Sequence, residues 1–190
     1  MANKNFNIVI TGVGGQGLIT LLDVISKAAF NKGLDIKTSE LHGLSQRGGS
    51  VGVYIRFGKK VYSPMVPKTQ ANLVLALEFQ EALGGLEFAN KNTVFVINNY
   101  QTPTLGESAS LKQVEDNIKL ATNKIFTMPF LSICEKELDN SVVVGVAMLG
   151  FAIEKQALPL TKEEIIEAIK ETMPEKFWEL NLKALELIKE

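Results

Sequence analysis

The glycine-rich run Gly12-Val-Gly-Gly-Gln-Gly17 constrains this chain more than any other feature, because of what stands on either side of it. Before it, residues 6–11 (Phe-Asn-Ile-Val-Ile-Thr) form a short β-branched run of the kind a buried parallel strand uses. After it, Leu18, Leu21, Leu22, Ile25, Ala28 and Ala29 recur at helical spacing, and Gly33 closes the helix. Residues 34–41 then resume as a strand, so the run sits at the strand-to-helix turn of a βαβ unit. Gly12, Gly14 and Gly17 meet the G-x-G-x-x-G spacing. That spacing permits a tight turn and brings a phosphate close to free N–H groups at the positive end of a helix. The same glycines equally suit a turn that only lets strand and helix pack closely, and the sequence leaves both readings open. Glu40 lies loosely where a dinucleotide fold keeps its ribose-binding acid, whereas Gly15 and Gln16 depart from that pattern.

A second polar, glycine-rich stretch follows: Glu40-Leu-His-Gly-Leu-Ser-Gln-Arg-Gly-Gly-Ser50. It carries the sole histidine and one of the two arginines. Polar side chains with glycines between them make a poor core and a good site, and function concentrates in loops held by a rigid scaffold. His42 suits an acid, base or hydrogen-bond donor near neutral pH, or alternatively only pins its loop to backbone. Arg47 is the stronger candidate, since a planar guanidinium fork matches carboxylate or phosphate; its other reading is a salt bridge at a subunit contact. Ser45 has no triad, because the single histidine is three residues away in the same loop. Gln46, Gly48, Gly49 and Ser50 complete the candidate loop. Two such loops in one small chain suggest a shared face.

The rest of the chain supplies a scaffold and excludes function classes. Its 190 residues are most simply one domain over 1–190, with 46% hydrophobic and 22% charged residues. A net charge of −1 argues against nucleic-acid binding and against a membrane-surface protein. The one cysteine, Cys134, excludes an intrachain disulfide and cannot alone hold zinc or an iron–sulfur cluster. The start lacks a signal-like apolar stretch, and the apolar run 142–153 is shorter than the about 18 residues of a spanning helix. A cytoplasmic location is the expectation.

Residues 51–57 and 60–62 flank Gly58-Lys59 and predict an antiparallel hairpin. Strands are expected at 73–77, 93–97 and 124–129, helices at 79–89 and 111–121, and a turn-rich span at 100–110. The last third is helical. Asn140 is placed to cap an apolar helix from Ser141 that packs in the core or on another chain. Thr161 and Glu164 form a capping box, and Pro174 opens a final helix with Phe177, Leu180, Ala184, Leu187 and Ile188 on its apolar face. The sum is α/β, with a mainly parallel sheet, one antiparallel excursion and a helical C-terminal third.

The two glycine motifs together, with Asn140, Leu149-Gly150 and Asn181-Leu-Lys-Ala184 further on, resemble the gamma-type subunits of 2-oxoacid:ferredoxin oxidoreductases over nearly the whole chain. The wording His42-Gly-Leu-Ser-Gln-Arg-Gly-Gly49 favours the indolepyruvate branch, in the form of its small (beta) subunit, over the pyruvate and 2-oxoglutarate branches. The resemblance implies a Rossmann-like three-layer sandwich. It also implies a complex that oxidatively decarboxylates a 2-oxoacid with coenzyme A to acyl-CoA, carbon dioxide and reduced ferredoxin. Thiamine diphosphate, magnesium and iron–sulfur clusters are then expected on a partner subunit, with none on this chain, and a homodimer of the isolated chain stays open. On this reading the loop from His42 to Ser50 docks near the thiamine and CoA entrance, and the glycine loop faces the same junction. The alternatives are a gamma subunit for pyruvate or 2-oxoglutarate, or a free-standing Rossmann-like nucleotide-binding protein.

Overall fold

The computed structural model describes residues 5–42, 49–103 and 108–188, with only the backbone of His42. Six strands form one sheet: β1 (Phe6–Val13), β2 (Asp35–His42), β3 (Ser50–Gly58), β4 (Leu73–Ala76), β5 (Val94–Asn98) and β6 (Ile125–Met128), in the order β2-β3-β1-β4-β5-β6. The pairs β1/β4, β4/β5 and β5/β6 are parallel, while β3 runs antiparallel to both β1 and β2. Strand β3 therefore wedges between the two strands of the expected βαβ unit. Strands β1 and β2 still run the same way, but two strand spacings, about 9.5 Å, apart.

The antiparallel excursion is real but its hairpin lies elsewhere. It joins β2 to β3 through residues 43–49, not residues 51–57 to 60–62. A strand has two edges, and those of β3 are filled from Phe57↔Phe6 to Ser50↔Val13 on one side and from Gly58↔Asp35 to Val51↔His42 on the other. The chain after Gly58 instead crosses the end of the sheet. The Val61 N–H donates to Asp35 Oδ2 (2.9 Å), and Arg56 donates to the carbonyls of Ser63 and Met65 (2.8 Å each) and to Asn7 Oδ1 (2.9 Å).

Helices cover both faces, which gives the expected three layers. Ile8, Ile10, Leu73, Leu75 and Val96 face α1 (Leu18–Asn31), α4 (Val144–Glu154), α5 (Lys162–Thr172) and the end of α6 (Trp178–Leu185). Val9, Val74, Ala76, Phe95 and Ile97 face α2 (Leu111–Lys119) and the segment Gln80–Phe88. The helix expected at 79–89 is there, in 3₁₀ form. It lies flat on β4, so close that a Cβ on Gly85 would sit 2.7 Å from Val74 Cγ1. A further helix, α3 (Phe130–Leu138), inserts Phe130 and Cys134 into the first core.

Helix ends follow the sequence in part. Gly33 takes φ +76° after α1, and Ser110 with Gln113 and Thr161 with Glu164 form complete capping boxes. Asn140 does not cap α4. Its Oδ1 accepts from the Val142 N–H (2.9 Å) in the turn before the helix, which starts at Val144 with no side-chain cap. Pro174 opens a short 3₁₀ turn, Glu175–Phe177, before α6 begins at Trp178. The glycines of α4 pack internally: a Cβ on Gly145 would press on Leu21 of α1 (2.9 Å), and one on Gly150 would collide with the Leu185 carbonyl of α6.

Candidate functional site

Because β1, β2, β4, β5 and β6 share one direction, their carboxyl ends gather at one edge of the sheet. Both glycine-rich motifs arrive there, and they are joined: the Gly14 N–H donates to the Gly49 carbonyl at 3.0 Å. The chain leaves β1 toward α1 and leaves β4 toward the opposite face, so the edge between β1 and β4 is a topological switch point. Open α/β sheets place their crevices there.

The glycine turn is held by its own glutamine. Gln16 Oε1 accepts the Val13 N–H at 2.8 Å, and the Gln16 N–H donates to the Val13 carbonyl at 3.2 Å. Only an acceptor can meet an N–H, so Oε1 faces Val13 and Nε2 faces away. Gly12 makes room for this, since a Cβ there would come within 2.6 Å of Gln16 Oε1. Gly15 (φ +102°) and Gly17 (φ +82°) adopt backbone conformations that side chains avoid. Gly17 begins α1 with no side-chain cap, leaving a donor-rich helix end worth about 0.3–1 kcal/mol to a nearby acceptor charge.

Across the crevice, two carboxylates brace the opposite rims. Glu78, two residues past the end of β4, is buried; its Oε2 accepts both the N–H and the hydroxyl of Thr102 at 2.7 Å. Glu81 accepts the Ser50 hydroxyl at 2.8 Å, tying the 3₁₀ segment to the start of β3. Burial raises the Glu81 carboxyl above its usual range; the Ser50 hydroxyl opposes this and the Glu78 charge adds to it. Asn98, also buried, donates from Nδ2 to the Leu77 carbonyl (3.0 Å) and accepts the Leu131 N–H on Oδ1 (3.2 Å). Glu78, Asn98 and Thr102 escaped the sequence reading. The signal was a polar residue just past, or at the end of, a buried apolar strand.

Two cavities flank Gln16. One of about 390 Å³ opens between α1 and α6 and is walled by Leu21, Val146, Met173, Phe177 and Leu180, with Asp23 at its side. The other, about 440 Å³, lies over the carboxyl ends of β1, β4 and β5, with Tyr100, Thr102 and Glu135 in its wall. Val142, 80% exposed, stands in the wall of both. Burial raises the Asp23 carboxyl, with Glu40 as a second cause.

The other sequence candidates fall as follows. Gly49 and Ser50 reach the crevice rim. The His42 backbone ends β2 opposite Val51, while its side chain and Ser45, Gln46, Arg47 and Gly48 lie outside the described residues. Glu40 is not brought to the crevice. It pairs with Val53 of the intervening β3 and lines neither cavity. Cys134 is buried, and its thiol is pushed up to about 11, chiefly by burial and then by Glu135. It is a packing residue, not a nucleophile. No group of three His, Cys, Asp or Glu suited to a metal occurs among the described residues. None of the described helices is long and apolar enough to cross a membrane.

A mixed α/β sheet covered on both faces by helices, with a glycine turn at its switch point and an antiparallel strand between β1 and β2, defines a Rossmann-like three-layer fold. The fold is shared with the gamma subunit of a keto/oxoacid ferredoxin oxidoreductase from Geobacter sulfurreducens (TM-score 0.69, 21% identity, 96% of this chain and 95% of that one). It also matches part of a 2-oxoglutarate:ferredoxin oxidoreductase from Magnetococcus marinus, solved with 2-oxoglutarate, coenzyme A and succinyl-CoA bound (TM-score 0.72, 17% identity, 96% of this chain and 30% of that one). In sequence it is 36% identical over 187 residues to the indolepyruvate oxidoreductase subunit IorB of Archaeoglobus fulgidus, covering 95% of this chain and 92% of the relative. The profile of the pyruvate ferredoxin/flavodoxin oxidoreductase family matches residues 7–190, and the chain belongs to that family.

Proposed function

We propose that this chain is a non-redox subunit of a 2-oxoacid:ferredoxin oxidoreductase, inactive alone. The complex decarboxylates a 2-oxoacid, an arylpyruvate such as indolepyruvate, and transfers the acyl group to CoA while the released electron pair goes to ferredoxin. The observation that carries this reading is the Gly14–Gly49 hydrogen bond, which unites the family's two glycine motifs on one rim above a crevice. A relative named as an indolepyruvate oxidoreductase subunit, covering nearly the full chain, supports the branch.

The partner subunit carries thiamine diphosphate, magnesium and the iron–sulfur clusters. This chain's single thiol is buried and protonated, so cluster chemistry falls to the partner. What remains for this chain is a docking surface. The crevice rim, with exposed Val142 and with Gly49 and Ser50, faces the partner near the CoA route. Arg47 there meets an acidic or phosphate group, and Gly48 and Gly49 permit close backbone approach. The free-standing dinucleotide reading is weakened on two counts. The Val13 and Gly14 N–H groups are already engaged within the chain, and Glu40 lies one strand too far away.

The test is co-expression with a thiamine-bearing subunit, followed by CoA-dependent viologen reduction on a panel of 2-oxoacids. Activity that needs both chains, greatest on an arylpyruvate, supports the reading. A cofactor-loaded partner that neither binds this chain nor depends on it refutes it.

A further inference from the structure

The sheet ends in two unlike edges. Strand β6 is four residues long, and Lys155 stands over the ring of its Phe126 at 5.4 Å, so that edge is short and guarded. Strand β2 is eight residues long, contains no proline, and keeps its register with β3 from Asp35↔Gly58 to His42↔Val51 without a bulge. Its second edge pairs with no described strand, and a long regular edge is a template for another strand. Beside it, between β2 and α1, runs a groove of about 520 Å³ walled by Leu22, Phe30, Ile36 and Thr38. Phe30 is 66% exposed there. The two ends of the groove differ in charge. Asp23 lies toward one end, where burial and then the Glu40 charge raise its carboxyl above the usual range. Lys27, one turn further along α1, stands over the Phe30 ring at 5.7 Å and pairs with Glu171 at 2.8 Å.

We infer that this edge binds a second copy of the chain, β2 lying antiparallel to β2 of the other copy, so that the two sheets become one. A two-fold axis normal to the sheet leaves each face where it is, so residues opposed across the axis are both odd or both even. An axis at Thr38 meets this condition and sets groove against groove, because Thr38 is in the groove wall. It opposes Lys37 to Ser39, Ile36 to Glu40 and Asp35 to Leu41 of the other copy, with no like charges facing. Helix α1 runs back along β2, so the same axis reverses the groove: the Asp23 end of each copy meets the Lys27 end of the other. This self-complementarity of charge selects a second copy over an unrelated strand. The crevice lies at β1 and β4, with β3 between β1 and β2, so the edge and the crevice can be occupied together. The inference does not rest on the proposed function.

Sedimentation equilibrium of the full chain reads the association, and a dimer is expected. Asp23→Lys and Lys27→Glu, each alone, set like charges face to face and are expected to weaken the dimer about tenfold or more. Mixed in equal amounts, the two variants are expected to regain a dimer with one copy of each, since every facing pair is then opposite in sign. A merely structural role for either residue would not give that rescue. Thr38→Cys, on the axis, is expected to form an intermolecular disulfide under mild oxidation, whereas Leu120→Cys, exposed at the end of α2, is not. A chain that stays monomeric at every concentration overturns the inference. A dimer indifferent to both charge variants, or a mixture that does not recover, overturns it equally. Protection of the β2 amides only when the thiamine-bearing subunit is present would assign the edge to that partner and overturn the inference as well.

Discussion

Replacing Gly150 by alanine puts one methyl group where α4 touches the end of α6. The added carbon would collide with the Leu185 carbonyl oxygen and lie 2.8 Å from its carbonyl carbon and 3.1 Å from its Cα. All three obstacles are backbone, so no rotamer change relieves them and α6 itself must move. Overpacking of this kind costs about 1–3 kcal/mol, and an immovable neighbour places this case near 3. Alanine returns about 1 kcal/mol of helix propensity. The net loss is then about 2 kcal/mol, or about 4–8 °C in midpoint for a chain of this size. Thermal unfolding followed by circular dichroism reads the midpoint. Trp178 fluorescence reports α6 directly, since its indole N–H donates to the Met173 carbonyl at 2.8 Å. Because Phe177 and Leu180 wall the cavity beside Gln16, the same variant should also disturb that cavity. An unchanged or raised midpoint would refute the packing argument.

Glu81→Gln tests the acid pair. The folded state raises the Glu81 carboxyl, so its ionised form costs stability at neutral pH, and that cost fades as pH falls through the raised value toward the usual carboxylate range. The variant should match or exceed wild type in urea at pH 7 and lose that margin in acid; a margin that grows in acid contradicts the assignment. Thr161→Ala removes the hydroxyl that accepts the Glu164 N–H at 3.3 Å and should cost about 0.5–2 kcal/mol by urea unfolding, with less than 0.5 arguing against the cap. Glu78→Ala frees Thr102 from the crevice rim. It should raise the KM for CoA more than it lowers kcat in the reconstituted complex, and unaltered kinetics would remove Glu78 from the account.

Much of this architecture is legible in the residues, and the failures have physical causes. Strands β1, β4 and β5 and helix α1 are unambiguous because apolar runs and helical spacing meet glycine boundaries. The position of β3 is not local information. Its alternation of buried and partly buried residues specifies a strand with one core face, but whether its second edge takes β2 or a later segment depends on pairing across the sheet. The 3₁₀ segment Gln80–Phe88 reads as an ordinary helix until Gly85 is seen against Val74. At the site, the sharing of one face by both glycine motifs follows from strand direction. Gln16 looked merely unusual in the sequence, because its bond to its own loop is a property of side-chain geometry. Glu78 and Asn98 were visible only as polar residues punctuating buried strands.

Hydrogen–deuterium exchange of this chain, free and in complex with a thiamine-bearing subunit, tests most directly which face docks. The account predicts slowed exchange at residues 14–18, 49–51, 100–103 and 140–143, and none around exposed Tyr62 and Met65 at the opposite end of the sheet. Protection confined to that opposite end, or a complex that leaves the crevice rim exchanging as in the free chain, would contradict it.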